Sequence, residues 1–482
     1  MGWLSLLTGC LRPDFGLGER YKLLKCLGVG GEGEVWLCRD RDAGNGLVAV
    51  KLVRRGLSRW QAESVTDEVA ALQRLSSCGG HVHIIRASAL LLTPSHIAVV
   101  TEYRAGGSLA QYTAKQRSGV LSEPEGCYFF RQVLSALSFC HARRIAFRDL
   151  KPDNCVLDGG SPPLLALCDF GVAHKWARNS SSEGMRTVAG TPGYLAPQIL
   201  SLMFARGSST GAYDGVMADV WAAGALLCTL LTHKLPYGFD DVWMESRSPT
   251  AALRRIWEAS RNSRAREASL LVKVHGVCIS EAAEALIDAM CAPLEADRPS
   301  IPQVLTSPWM TDTQLSDNQA AALAGAVARQ AEVERQNQRV AEGTCAWGWR
   351  HKSVSGLLAQ ASIAGERAGH HGGAEGRVMR VELDGPEDEA AEVETLDAFQ
   401  KILDEDGGRT SPIKQRFRRM LMDDEPGRSP ERFRAPILES RISEGVEGAE
   451  MAPPVPLLQP PPLPWVSSKG PKSPSRSAST VW

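Results

Sequence analysis

Net charge is almost absent from this chain: 54 Lys and Arg stand against 55 Asp and Glu in 482 residues. A balance this even argues against nucleic acid or an anionic membrane surface as the main partner. Aromatic residues are sparse, at 6%. The 12 cysteines include no Cys-x-x-Cys pair, which argues against zinc modules and secreted disulfide frameworks. Reduced, packed thiols in a cytosolic or nuclear protein fit better, Cys155 and Cys168 among them. His81 and His83 have no Cys or carboxylate at ligand spacing, so they read as turn and packing residues. No apolar stretch reads as long enough to cross a bilayer. The start, Met1 to Cys10, lacks the basic segment of a secretory leader, and Leu6 stands where myristoylation of Gly2 wants Ser or Thr. Internal repeats are also missing.

What is present is concentrated in one run, Phe147-Arg148-Asp149-Leu150-Lys151-Pro152-Asp153-Asn154. It supplies a carboxylate to orient and deprotonate a hydroxyl, a lysine two places on, and an Asn able to ligate a metal. Asp169-Phe170-Gly171 follows 15 residues after that Asn. Transfer of a phosphoryl group needs this set, because metal ions and lysine must neutralise charge on phosphate oxygens while a base holds the acceptor in line. Upstream, Gly28-Val29-Gly30-Gly31-Glu32-Gly33 lies between the strand-like runs Tyr21 to Leu27 and Val35 to Cys38. That context predicts a hairpin closing over phosphates and not a strand-to-helix dinucleotide site. Val48-Ala49-Val50-Lys51 reads as a strand ending in a phosphate-gripping lysine. The amphipathic stretch Trp60 to Leu75 then offers Glu68, with Glu63 as competitor, to pair with Lys51.

With these parts in order, Arg20 to Met310 resembles a eukaryotic protein kinase domain. Within that superfamily it is most similar to the plant and algal Ser/Thr kinases related to the sucrose-non-fermenting kinase, the osmotic-stress and abscisic-acid-linked subclass. The finer resemblance rests on Leu47 to Lys51 with Arg55-Gly56, on Leu92 to Val100, on Leu157-Asp158-Gly159, and on Tyr213-Asp214-Gly215 before Ala218-Asp219-Val220-Trp221. The fold implied is α+β and bilobal. A small antiparallel β lobe with one helix spans about 20–101, and a mainly helical lobe about 106–310. The resemblance implies ATP and Mg²⁺, with Gly28, Gly30, Gly33 and Lys51 on the phosphates and Val35 and Ala49 over the adenine. The hinge would be Glu102-Tyr103-Arg104, read through its backbone, with Thr101 as gatekeeper. Asn154 and Asp169 would hold the metal, Asp149 would be the base, Lys151 would stabilise the moving charge, and Lys51 would be oriented by Glu68. Asp219 would hold the catalytic-loop backbone. Lys151-Pro152 with Gly190-Thr191-Pro192 resembles the serine/threonine-specific version. Thr187 is the favoured acceptor for an activating phosphate that Arg148 would meet, with Ser180, Ser181 and Ser182 as alternatives. Protein substrates, an upstream kinase, a phosphatase and a tail-binding regulator are the implied partners.

Three departures keep a second class open, a pseudokinase scaffold. Phe147 replaces the usual His, Glu32 sits at the glycine-loop tip, and Gln198 replaces the Glu that pairs with an arginine, here Arg298. None removes a catalytic group. A small-molecule phosphotransferase is opposed by the long segment running to Pro197. Outside the kinase-like stretch, residues 1–19 read as an extension and 311–345 as a helical continuation from about Asp317 to Glu342. Residues 346–482 read as a mostly disordered regulatory tail, with an acidic block carrying Leu396, Phe399, Ile402 and Leu403, then Ser-Pro sites and a proline-rich end.

Overall fold

In the computed structural model the described residues are 15–30, 33–54, 59–76, 80–176, 182–204, 211–246, 248–261, 279–343 and 379–382. The glycine-loop tip at Glu32, the serines Ser180 and Ser181, and the apolar stripe from Leu396 to Leu403 lie outside them, as does the side chain of Glu63.

Tyr21–Gly30 (β1) and Gly33–Asp40 (β2) form a hairpin whose last pair is Gly30 with Gly33. Gly33 sits at φ +145°, and a Cβ there would run into the Leu52 carbonyl of the next strand, so only glycine fits. Gly46–Arg54 (β3), Ala87–Leu92 (β4) and His96–Glu102 (β5) complete an antiparallel sheet. A helix, Arg59–Ser76 (α1), buries Val69, Leu72 and Leu75 in the same core as Val53, Leu90 and Val99 of the sheet. A second apolar cluster unites Val50, Leu52, Leu91, Ala98 and Val100 with Phe15 and Leu17 of the N-terminal extension. Phe15 meets the His96 ring edge-on at 5.0 Å.

The large lobe carries Leu109–Ala114 (α2), Glu123–Ala142 (α3), Pro197–Phe204 (α4), Gly215–Thr232 (α5), Phe239–Glu245 (α6) and Pro249–Arg261 (α7). Glu281–Met290 (α8), Ile301–Leu305 (α9) and Pro308–Asp312 (α10) close it. Short strands add Gly107–Ser108 (β6), Ile145–Ala146 (β7), Cys155–Leu157 (β8), Leu165–Leu167 (β9) and His174–Lys175 (β10), in a β6-β8-β9 sheet and a β7-β10 ribbon. α3 starts from a Ser122–Glu125 capping box with Pro124 in its first turn. α5 corrects one expectation from the sequence: it is long and apolar enough to span a bilayer. It is mostly buried, however, with Trp221, Leu226 and Leu230 in the lobe's core, so its apolarity serves packing.

Two features follow the large lobe. Asp317–Gly343 (α11) covers the stretch read as a helical continuation and anchors at Gln330, which accepts from Val82 N at 3.1 Å and donates to Gly80 O at 3.4 Å. Met379–Glu382 (β11) pairs antiparallel with β4, so the main sheet runs β1-β2-β3-β5-β4-β11. The composition of the tail did not announce this strand.

Candidate active site

Strand register explains how the small lobe presents its groups. Val35 is paired with Lys51, and Ala49 with Thr101. Cross-strand partners share a face, as do residues two apart. Val35, Ala49, Lys51 and Thr101 therefore lie on one side of the sheet. Glu102, next along β5, belongs to the opposite side. Its Oε1 accepts from Arg104 Nη2 at 2.9 Å and from Arg86 N at 3.3 Å, while Arg104 Nη2 also donates to Val82 O. Both hinge side chains are thus engaged with each other and with the loop behind the hinge, and line a cavity of about 680 Å³ between that loop, Asp158 and α11. Any part they play toward a nucleotide falls to their main chain.

Lys51 is the meeting point of the lobes. Its Nζ lies 2.7 Å from Glu68 Oε2 on α1 and 2.8 Å from Asp169 Oδ1. Glu68 is buried, so the helix is swung in. For Asp169, burial pushes the carboxyl up, yet Lys51 and then Lys151 outweigh it and the net direction is down, which keeps the group ionised. Asp169 also sits at φ +64° and Arg148 at φ +66°, left-handed conformations that non-glycine residues hold only where surrounding contacts enforce them.

The Asp149 carboxylate accepts three hydrogen bonds, which leave Oδ1 with room for one more. Asp149 Oδ2 accepts from Lys151 Nζ at 2.7 Å and from Asn154 Nδ2 at 2.8 Å, and Oδ1 accepts from Thr191 Oγ1 at 2.6 Å. Lys151 also donates to Thr191 Oγ1 at 2.8 Å. Burial lowers Lys151, but the charge and hydrogen bond of Asp149 win and the net direction is up, so it remains a cation. Beneath this, Asp219 has no exposed surface and accepts from the backbone N–H of Phe147 and Arg148 at 2.8 and 2.7 Å, with His141 Nε2 at 2.8 Å. These bonds hold the loop's turn in place. Phe147 packs edge-on against Phe170 at 4.9 Å, both without exposed surface, so an apolar ring fills the position where His is usual.

Asn154 spends its amide N–H on Asp149, through Oδ2 and also the backbone O. That leaves the amide oxygen as the atom able to ligate a metal, with the Asp169 carboxylate as the other oxygen donor expected from the sequence. Two hard oxygen donors suit Mg²⁺, which keeps water and phosphate ligands and needs only one or two protein groups. Among the described residues no cluster of three or more His, Cys, Asp or Glu side chains offers a cage for another metal.

The activation segment converges on Arg148. Its Nη1 donates to Thr187 Oγ1 at 2.6 Å and to Tyr213 OH at 3.3 Å, its Nε donates to Val172 O at 2.6 Å, and Tyr213 OH donates to Thr187 O at 3.0 Å. Thr191 and Tyr213 had no site role in the sequence reading. Thr191 is legible only as part of a Gly-Thr-Pro signature, and Tyr213 only as part of the Tyr-Asp-Gly run that carries the finer resemblance. Farther down, Gln198 Oε1 accepts from Arg298 Nη2 at 2.7 Å while its own Nε2 donates to Pro293 O at 2.5 Å.

Comparison with known proteins agrees with this geometry. The profile of the protein kinase domain matches residues 21–310. Serine/threonine-protein kinase SRK2B of Arabidopsis thaliana is 39% identical over 220 residues, 45% of this chain and 55% of that protein. Serine/threonine-protein kinase SAPK6 of Oryza sativa subsp. japonica is 39% identical over 223 residues, 46% of this chain and 56% of its own. Serine/threonine-protein kinase SRK2A of Physcomitrium patens is 37% identical over 219 residues, 45% of this chain and 57% of its own. The chain thus spans a little over half the length of these curated relatives.

Proposed function

Since the chain belongs to the protein kinase domain family, we propose that it is an ATP- and Mg²⁺-dependent protein serine/threonine kinase acting in stress signalling. The observation that carries the reading is Lys51 held by both Glu68 and Asp169 at hydrogen-bond distance. With it come Asp149 and Asn154 bonded to each other beneath. The relatives' printed names, serine/threonine-protein kinases, support the acceptor class.

In the mechanism Lys51 binds the α- and β-phosphates, and Glu68 fixes its position. The backbone at Gly28, Gly30 and Gly33 approaches the phosphates, with no Cβ to intervene at Gly28 and Gly30, while glycine at Gly33 is required by the Leu52 carbonyl. Asn154 and Asp169 would hold Mg²⁺, which supplies charge neutralisation on the phosphate oxygens when bound. Asp149 orients the substrate hydroxyl and takes its proton at a carboxylate oxygen. Thr191, Lys151 and Asn154 fix the direction of that carboxylate, and Lys151 offsets charge on the transferring group. The decisive test is phosphorylation of a degenerate Ser/Thr peptide library with ATP by wild type and Asp149→Ala. No incorporation by wild type, together with Mg·ATP affinity unchanged in Asp169→Ala, would leave a scaffold in its place.

Phosphate on Thr187 is the proposed switch. The Thr187 hydroxyl already rests on the Arg148 guanidinium, and a phosphate there adds charge-assisted bonds that order the segment. The partners under this reading are protein substrates, an upstream kinase, a phosphatase and a regulator of the tail, in cytoplasm and nucleus. Full activity of Thr187→Ala after activation would rule the switch out.

A further inference from the structure

An edge strand offers a row of backbone N–H and C=O groups to any passing chain, and proteins cover such edges. In this small lobe β5 pairs with one side of β4, and β11 pairs with the other. The register is continuous, Met379 with Leu92, Arg380 with Leu91, Val381 with Leu90 and Glu382 with Ala89. Apolar and charged residues alternate along Met379-Arg380-Val381-Glu382, the period of a strand and not of a solvated spacer. Met379 and Val381 fall opposite Leu92 and Leu90; Leu90 belongs to the core cluster shared with α1, and Leu92 is partly buried against it.

We propose that the β4 edge is a strand-accepting interaction surface of this protein, and that its resident occupant is the chain's own tail through Met379–Glu382. Two observations favour the chain itself over a second copy. α11 is fastened by Gln330 to Gly80 and Val82, a few residues ahead of β4, so the helix that leads into the tail is anchored on the segment that leads into that strand, and Met379 follows its last residue, Gly343, in the same chain. Closing the intervening segment costs little more for a long loop than a short one, and the tethered strand reaches a high effective concentration at the edge. The pairing is carried by main chain, and with four residues it is short enough to exchange. The tail thereby becomes a sixth strand of the lobe that holds Lys51, a role independent of the activity proposed above.

The test is hydrogen exchange on the full chain, followed at residues 89–92. Expected is protection in wild type, exchange about tenfold faster or more in the double variant Arg380→Pro/Val381→Pro, and protection elsewhere in the small lobe unchanged. Arg380→Ala/Val381→Ala keeps both amides and retains the protection. Added to the proline variant, a synthetic peptide of residues 376–385 restores it. Equal exchange in wild type and the proline variant overturns the proposal. So does protection that rises with protein concentration alongside dimer formation, since the occupant would then be a second copy.

Discussion

Gln198→Glu is the substitution whose outcome the structure constrains most closely. Arg298 is 5% exposed, and its guanidinium donates to Ala292 O, Met217 O, Pro293 O and Gln198 Oε1 without a carboxylate among these partners. Burial, the largest cause, brings Arg298 down from 12.5 to about 10. A base that binds its proton less tightly when folded weakens the fold at every pH below that lowered value. At about 1.4 kcal/mol per pH unit the cost near neutrality is about 3 kcal/mol. A carboxylate at 198 exchanges a neutral acceptor worth about 1 kcal/mol for a charge-assisted one worth about 1.5–3 kcal/mol. It also forfeits the amide bond to Pro293 O, worth about 1 kcal/mol, so the net gain is at most about 1 kcal/mol. Calorimetry at pH 7.5 should show the melting temperature of Gln198→Glu raised by no more than about 2–4 °C. The new carboxyl is held below its unfolded value of about 4.3, so the gain is present above that pH and disappears as pH falls further. Gln198→Ala, which strips one acceptor from a buried cation, should melt several degrees lower. A melting temperature lowered by several degrees in Gln198→Glu at pH 7.5 would refute the idea that Arg298 is under-compensated.

Lys51→Met should cut phosphoryl transfer by about a hundredfold or more in steady-state assays, since it removes the contact joining Glu68 and Asp169; near-normal turnover would contradict the mechanism. Thr191→Ala should lower kcat more than KM, because the Asp149 carboxylate loses one of its orienting bonds; a change confined to KM for peptide would point to a docking role. Ser108 is spent on a capping box with Gln111 at the start of α2, just past Arg104, and offers no carboxylate there to meet an upstream Arg of a substrate. Wild type should therefore show a modest preference for upstream Arg in a peptide library, and Ser108→Glu should strengthen it while losing about 1 kcal/mol of stability with the cap. A dominant Arg requirement unaffected by the substitution would assign the reading to other acids. Truncation after Met310 removes α11 with its bonds to Gly80 and Val82, and a lowered melting temperature is expected; identical melting would mean that the helix contributes no stability.

The parts that were legible are those whose chemistry is local in sequence. Asp149, Lys151 and Asn154 fall within one run, and the hairpin glycines are flanked by strands. Lys51 and Glu68 could be paired only through the resemblance, because 17 residues separate them and spacing alone does not distinguish Glu68 from Glu63. Thr191 reaches Asp149 across 42 residues, and Tyr213 reaches Arg148 across 65, contacts that exist only after the activation segment has folded back. β11 escaped for another reason. A strand this short carries no compositional signal inside a Gly- and acid-rich tail, and only the alternation around Val381 hints at it. α5 shows the converse problem, since the apolarity of a central helix in a large lobe is indistinguishable in sequence from that of a membrane span.

The ring of Phe147 against Phe170 has a physiological corollary. An imidazole in that place would sit within reach of its proton, with an ordinary pKa of about 6.5, in the middle of the stack that positions Asp169. A benzyl side chain has nothing to ionise. The ring pair joining the catalytic loop to the segment that carries Asp169 therefore has no group that titrates near neutral pH. The imidazoles nearest this loop are instead His141, on the Asp219 carboxylate, and His174, beside Arg148.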